Sequence, residues 1–192
     1  MSAEVIRALT TLGGVVLGFA LSQVAEWVKY GRRTESRRRS IRALIALEAG
    51  SNCSSIRHFW NAILARRQRW VGDNGAFEFV ALAQVASTVP FPPLDVSAWQ
   101  ANLAEVASAY SESELERLWE LHRALHRLQS LHCFFCEASN ERKDSYKSAR
   151  AEGHVGLAAM TSSLGFSDSV TGPAEQFKSL AEKVITFDER SA

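Results

Sequence analysis

The sequence predicts an all-α protein: an N-terminal transmembrane helix followed by a cytosolic helical bundle. Three observations predict it. A run of 18 consecutive uncharged residues, Ala8 to Ala25, lies near the start of the chain. A dense basic block follows it at once. Beyond that block, apolar residues recur at helical spacing with almost no strand alternation. The 192 residues suit one domain with appendages. The division is a transmembrane helix over 1–30, a basic collar and juxtamembrane helix over 31–71, and a cytosolic helical domain over 72–192.

Taken as a helix, the uncharged run is about 27 Å long, close to the ~30 Å hydrocarbon thickness of a bilayer. Arg7 and Lys29 can snorkel to the two interfaces. Trp27 and Tyr30 fall where an aromatic belt belongs. Between Lys29 and Arg42 there are seven basic residues and one acid, whereas only Glu4 and Arg7 carry charge before the run. By the positive-inside rule, the C-terminal side is expected to stay in the cytoplasm and the chain to cross the membrane once. A cleaved signal peptide fits less well, because the segment before the run has no net positive charge and the basic block opposes export. A soluble helix facing the core or a partner is the remaining alternative. It draws on Thr10, Thr11, Ser22 and Gln23, which make the run only moderately apolar.

Those polar and small residues are ordered. Arg7, Thr11, Gly14, Gly18, Ser22 and Ala25 recur every three or four residues and so line one helix face. Gly14 and Gly18 form a GxxxG motif, which Ser22 extends. Small residues let two backbones approach closely in lipid, so Gly14, Gly18 and Ser22 are the candidates for helix–helix packing and the chain is expected to form homo-oligomers. Arg7, Thr11 and Gln23 are the candidates to line a pore, should the oligomer form one.

The rest of the chain divides by its punctuation. Ser36 to about Val71 has helical spacing, with Gly50, Ser51 and Asn52 weakening its middle. Gly72 to Ala76 (GDNGA) reads as a turn, and Phe77 to Ser87 as a short apolar helix. Pro90 to Asp95 (PFPPLD) runs extended, because a residue before proline avoids the helical region. Ser97 caps a helix to about Ala109. Ser111-Glu-Ser-Glu114 is a capping box opening a helix to about Asn140. Gly165 to Gly172 reads as a loop, and Pro173 as the first turn of a last helix reaching about Phe187, with a loose tail from Asp188.

This layout of an N-terminal span, an Arg-rich collar over Arg32 to Arg42, a helix with Glu48 and Asn52 as Glu-x-x-x-Asn, and a Pro-rich turn from Pro90 to Trp99 resembles that of small bacterial single-span membrane proteins of unknown function. Some proteins with this layout resemble membrane effectors of anti-phage systems, in which a cytosolic domain receives a signal and the membrane segments act. The resemblance implies such a role in antiviral defence and brings no catalytic residue with it.

Composition narrows the chemistry. Hydrophobic residues at 46% and charged residues at 22% allow a packed core and exclude wholesale disorder. A net charge of +1 excludes a globally basic nucleic-acid binder but leaves a local patch open. That patch is the collar: Arg32, Arg33, Arg37, Arg38, Arg39 and Arg42 suit anionic headgroups, or the phosphates of a nucleotide or nucleic-acid signal. Arg57, Arg66, Arg67 and Arg69 could continue it, with Trp60 or Trp70 to stack a base. His122, His126, Cys133 and Cys136 share a helix face and match the ligand types of zinc. They stretch over about 20 Å of axis, however, too far for one ion, so a site needs Cys53, His58 or His132 as well; otherwise they are core and edge residues. No metal and no cofactor is therefore expected. The chain has no phosphate-binding glycine loop, no HExxH and no GxSxG, and nothing points to an enzyme. The function expected is an oligomeric membrane protein whose cytosolic domain receives a signal or partner protein and whose membrane helices act as effector, with an ion channel as its sharp form. The alternative is a static membrane-tethered interaction module without conductance.

Overall fold

The computed structural model describes the backbone of residues 3–71, 78–153 and 155–191, and the side chains of 14, 16–68, 78–153 and 169–187. It is all-helical, with no strand among the described residues. The five helices are α1 (Ala3–Val71), α2 (Glu78–Ala86), α3 (Ser97–Ala109), α4 (Glu112–Ala151) and α5 (Val155–Ser191).

The first finding is the length of α1. Its 69 residues run without a break for about 100 Å, through the uncharged run, the collar and the juxtamembrane segment alike. Gly50, Ser51 and Asn52 do not interrupt it. A glycine costs a helix only about 1 kcal/mol. Here Ile45, Cys53 and Ile56 on either side are fully buried, and tertiary packing outweighs that cost. The turn expected at Gly72 to Ala76 lies outside the described residues.

The middle of the chain follows expectation closely. The apolar helix α2 and an extended proline segment appear as predicted. The capping box at the start of α4 is formed in full: the Glu114 amide donates to Ser111 Oγ at 3.4 Å, and the Ser111 amide donates to Glu114 Oε2 at 2.8 Å. The C-terminal part departs from it. α4 continues beyond Asn140 to Ala151. It ends where Gly153 takes φ +80°, a conformation glycine adopts without strain, and the Gly153 amide closes on the Arg150 carbonyl. The loop expected at Gly165 to Gly172 is helical, and Pro173 sits inside α5 rather than in its first turn. An internal proline costs about 3 kcal/mol. Val170, Ala174 and Phe177 around it are fully buried, and each large buried side chain returns about 1.5–3 kcal/mol. The tail expected to be loose is helical to Ser191.

One main core joins α1 from Ala49 to Ile63 with α2, α4 and α5. Its centre is a cluster of rings in which Phe177 of α5 meets Phe135 at 5.4 Å, Phe59 at 6.2 Å and Trp60 at 6.2 Å between ring centroids. A smaller core, Ile41, Ile45, Trp99, Val106, Ala109 and Leu118, fixes α3 and the start of α4 to α1. Since Leu118 meets the Ile41 level of α1 and Phe135 the Phe59 level, α4 runs parallel to α1 and α5 returns antiparallel. The bundle thus grips α1 from Ile41 onward, and the described part of α1 before it projects as an exposed arm.

Among the described residues, no helix is long and apolar enough to cross a membrane. The all-α expectation therefore holds, while its transmembrane part finds no support there. The uncharged run begins at Ala8, and the side chains of residues 8–13 and 15 lie outside the described residues, as do those of Arg7 and Thr11.

Candidate membrane-facing site

The arm carries large apolar side chains with nothing on them. Val16, Leu17, Phe19 and Leu21 are each more than 60% exposed, and Trp27 is 77% exposed. At 100° per residue they spread over about 200° of the helix, and Gly18, Ser22 and Ala25 fall in the remaining arc. Gly14, Gly18, Ser22 and Gln23 are exposed as well, and a Cβ added at either glycine would meet no atom within 4 Å.

The collar above the arm divides into two sets. Arg37 pairs with Glu105 of α3. Arg42 donates through Nε to the Ala109 carbonyl at 2.5 Å and through Nη2 to Glu114 Oε2 at 3.2 Å, while its guanidinium lies 5.1 Å from the Tyr110 ring centroid. Both arginines, expected to contact lipid or phosphate, clasp α3 and the α3–α4 corner. A cation at the last carbonyls of α3 also complements that helix's dipole. Arg39 pairs with Glu35 one turn back. Arg32, Arg33 and Arg38, together with Lys29, make no ion pair among the described residues.

The other end of α3 is held from α1 too. Glu48 is buried, and its carboxylate accepts the Ala98 amide at 2.6 Å and the Trp99 amide at 3.2 Å. It thereby takes the capping role expected of Ser97, whose hydroxyl donates to Asp95 Oδ1 at 2.7 Å. Burial pushes the Glu48 carboxyl above its ordinary 4.5, against the pull of those two amides. One turn on, the Asn52 amide bridges the Asp95 backbone, donating to its carbonyl at 2.6 Å and accepting its N–H at 2.9 Å. The Glu-x-x-x-Asn element and the Pro90 to Trp99 segment, two separate features of the sequence, are thus one clasp. With Arg42 and Glu48 both on α1, the arm and the bundle are locked to a single rod.

Three arginines of the second basic cluster are engaged within the bundle. Arg66 donates to the Thr88 carbonyl at 3.0 Å, Arg67 pairs with Glu78 at 3.1 Å, and Arg57 donates to the Ile185 carbonyl at 3.4 Å. These arginines tie α1 to its neighbours. Trp60, offered as a base-stacking surface, is buried against Phe177. The side chains of Arg69 and Trp70 lie outside the described residues.

The four residues of α4 weighed as zinc ligands are dispersed. His122 lies against Trp99 with ring centroids 4.4 Å apart, His126 and Cys133 are exposed, and Cys136 is half-buried. Among the described residues, no three metal-ligating groups converge. The residue that sequence reasoning undervalued is His132. It is buried between Phe59 and Phe91, with Nε2 2.9 Å from the Val89 carbonyl and Nδ1 3.8 Å from Cys136 Sγ. The signal was present: Leu128, His132 and Cys136 form an i, i+4 row on the apolar face of α4. A hollow of about 210 Å³ between α4 and α5 is lined by Arg117, Glu120, Lys183 and Phe187. It is below the roughly 300–1,000 Å³ of small-molecule sites and is spanned by the Glu120–Lys183 ion pair at 2.9 Å.

No family model, no curated protein and no solved structure matches this chain.

His122 gives the clasp a pH response. Burial lowers its pKa below the ordinary 6.5, and its Nε2 is buried without a hydrogen-bond partner. The folded state thus binds this proton less well than the unfolded chain, so the stability it allows is present above 6.5 and is lost as pH falls through that value toward the lower folded pKa. The denaturation midpoint of the full chain should drop between about pH 7 and pH 5. His122→Leu should flatten that drop, and an unchanged slope in the variant would assign it elsewhere. The carboxylates held below their ordinary 4.5, such as Glu78 beside Lys178 and Arg67, act in the same direction but in a more acidic window.

Proposed function

We propose that this chain is a non-enzymatic, single-span protein of the bacterial inner membrane that self-associates and holds a helical bundle at the cytoplasmic surface to receive a partner. The observation that carries this reading is the arm. Its large apolar side chains spread over about 200° of the helix and stay uncovered from Val16 to Tyr30. So wide an apolar arc exceeds the roughly 100° stripe that a surface helix lays on its own core, and small residues fill the rest, as lipid on one side and a second helix on the other require. The aromatic pair Trp27 and Tyr30 and the free cations Lys29, Arg32 and Arg33 come next in order, as the interface and headgroup layers require.

The test is fractionation of the full chain by high-speed centrifugation at moderate salt. Recovery in the membrane pellet, released by detergent and not by salt, is the expected result. Deleting residues 2–30 removes no core residue among the described residues, whose cores begin at Ile41. The shortened chain should move to the supernatant. A full chain that stays in the supernatant without detergent overturns the reading.

An effector role in anti-phage defence is the sharper version, and the unbroken α1 favours it. A partner or phosphate-bearing signal that shifts the bundle moves the membrane segment with it, because no hinge separates them. Depolarisation of cells on induction with the trigger, lost in Gly14→Leu/Gly18→Leu, would distinguish this role from a static tether.

A further inference from the structure

The continuity of α1 aligns features that a break near residue 30 would have scattered. At 100° per residue, Gly18, Ser22, Ala25, Lys29, Arg32 and Leu47 fall within about 80° of one another. Ile41, Ile45, Glu48 and Asn52, which face the bundle, lie on the opposite side of the rod. The aligned face is open throughout: Leu47 is 72% and Leu44 beside it 50% exposed. It consists of two packable patches, small residues below and leucines above, with a cationic block between them.

Neither patch is explained by the monomer. Glycine in a helix interior is unfavourable, and neither Gly14 nor Gly18 is needed for close approach within the chain, since a Cβ there meets nothing. The block is uncompensated as well. Arg37 and Arg42 turn toward Glu105 and Glu114, and Arg39 toward Glu35, while Lys29, Arg32 and Arg33 line an open groove with Ala25, Val28 and Ser36. Glu26, at the edge of this face, is one acid against three cations.

We propose that a second copy of the chain packs along this face, and that the pairing depends on anionic lipid headgroups bound between Lys29, Arg32 and Arg33 of the two copies. The inference rests on the membrane reading above. Insertion in a common orientation makes the pair parallel, so each patch meets its own image: glycine against glycine, Leu47 against Leu47. The same symmetry brings the six cations face to face. Opposed like charges resist closure, and a phosphate held by guanidinium groups from both sides removes the resistance. In a neutral bilayer the charge block holds the two rods apart; in an anionic one it becomes the bridge.

The experiment uses the full chain labelled at its amino terminus with donor or acceptor dye and reconstituted into vesicles. Energy transfer is compared in phosphatidylcholine alone and in phosphatidylcholine with phosphatidylglycerol. Pairing should rise at least about fivefold with the anionic lipid, the factor that one basic residue near an anionic surface is worth. The triple variant Lys29→Gln/Arg32→Gln/Arg33→Gln should pair in neutral vesicles as wild type does in anionic ones, and lose the lipid dependence. Gly18→Leu should pair poorly in both. Inorganic phosphate added to neutral vesicles should not substitute. Equal wild-type pairing in the two lipids, a triple variant that keeps the dependence, or rescue by free phosphate overturns the proposal while leaving membrane insertion standing. A chain that does not float with either vesicle overturns both.

Discussion

Phe177→Ala should cost the bundle about 3–5 kcal/mol, the range for truncating a phenylalanine at the centre of a core. Phe177 is fully buried and is the ring that three helices share: Phe59 and Trp60 of α1 and Phe135 of α4 all pack on it. The two phenylalanines pack on it edge-on and Trp60 at a tilt, and none can move in without losing its own contact, so the vacated volume persists as a cavity. A domain has roughly 5–15 kcal/mol in all, so this single truncation removes a large fraction of it. Urea unfolding of the full chain in mild detergent, followed by tryptophan fluorescence, should give a lower midpoint with an unchanged slope. Phe177→Leu, which refills most of the volume, should recover more than half of the loss. A midpoint within error of wild type for Phe177→Ala would mean that α5 does not dock here.

Glu48→Ala and Asn52→Ala should each cost about 2–3 kcal/mol, the scale of hydrogen bonds to charged or buried groups whose partners are left unsatisfied. Truncating Glu48 strands the first amides of α3 and removes the negative charge from the positive end of its dipole. Truncating Asn52 strands the N–H and the carbonyl of Asp95 together. The two side chains hold one short segment, so their effects should fall short of additive in the double variant. Glu48 has a further signature. Its carboxyl is raised, so the folded state binds that proton more tightly, and ionisation withdraws stability as pH rises from 4.5 through the folded pKa. Glu48→Gln retains an acceptor oxygen without this titration; it should lose less stability than the alanine variant and should flatten that window. Two additive losses and identical pH profiles would mean that the clasp does not act as a unit.

The fold was legible where local rules suffice. Proline fixes its own backbone, and the box from Ser111 to Glu114 supplies its own bonds, so α2, the extended segment and the start of α4 were readable from a few neighbouring residues. It was illegible where burial outvoted a local signal. Gly50 and Pro173 are breakers by propensity, yet both sit within helices whose flanking residues are buried. The collar illustrates the same limit for the site. Seven basic residues between Lys29 and Arg42 look alike, and only the positions of Glu105 and Glu114, about 70 residues away in the chain, separate Arg37 and Arg42 from Lys29, Arg32 and Arg33.

By itself the sequence determined that the chain is helical, where its charge lies and that an uncharged run precedes the charge, because these depend on spacing and composition within a few turns. Only the tertiary structure decided that one helix carries the run, the collar and a wall of the core, and that Glu48 and Asn52 close on the proline segment. The reason is physical: a helix face acquires its meaning from what lies across from it, and distant contacts contribute nothing to the local pattern.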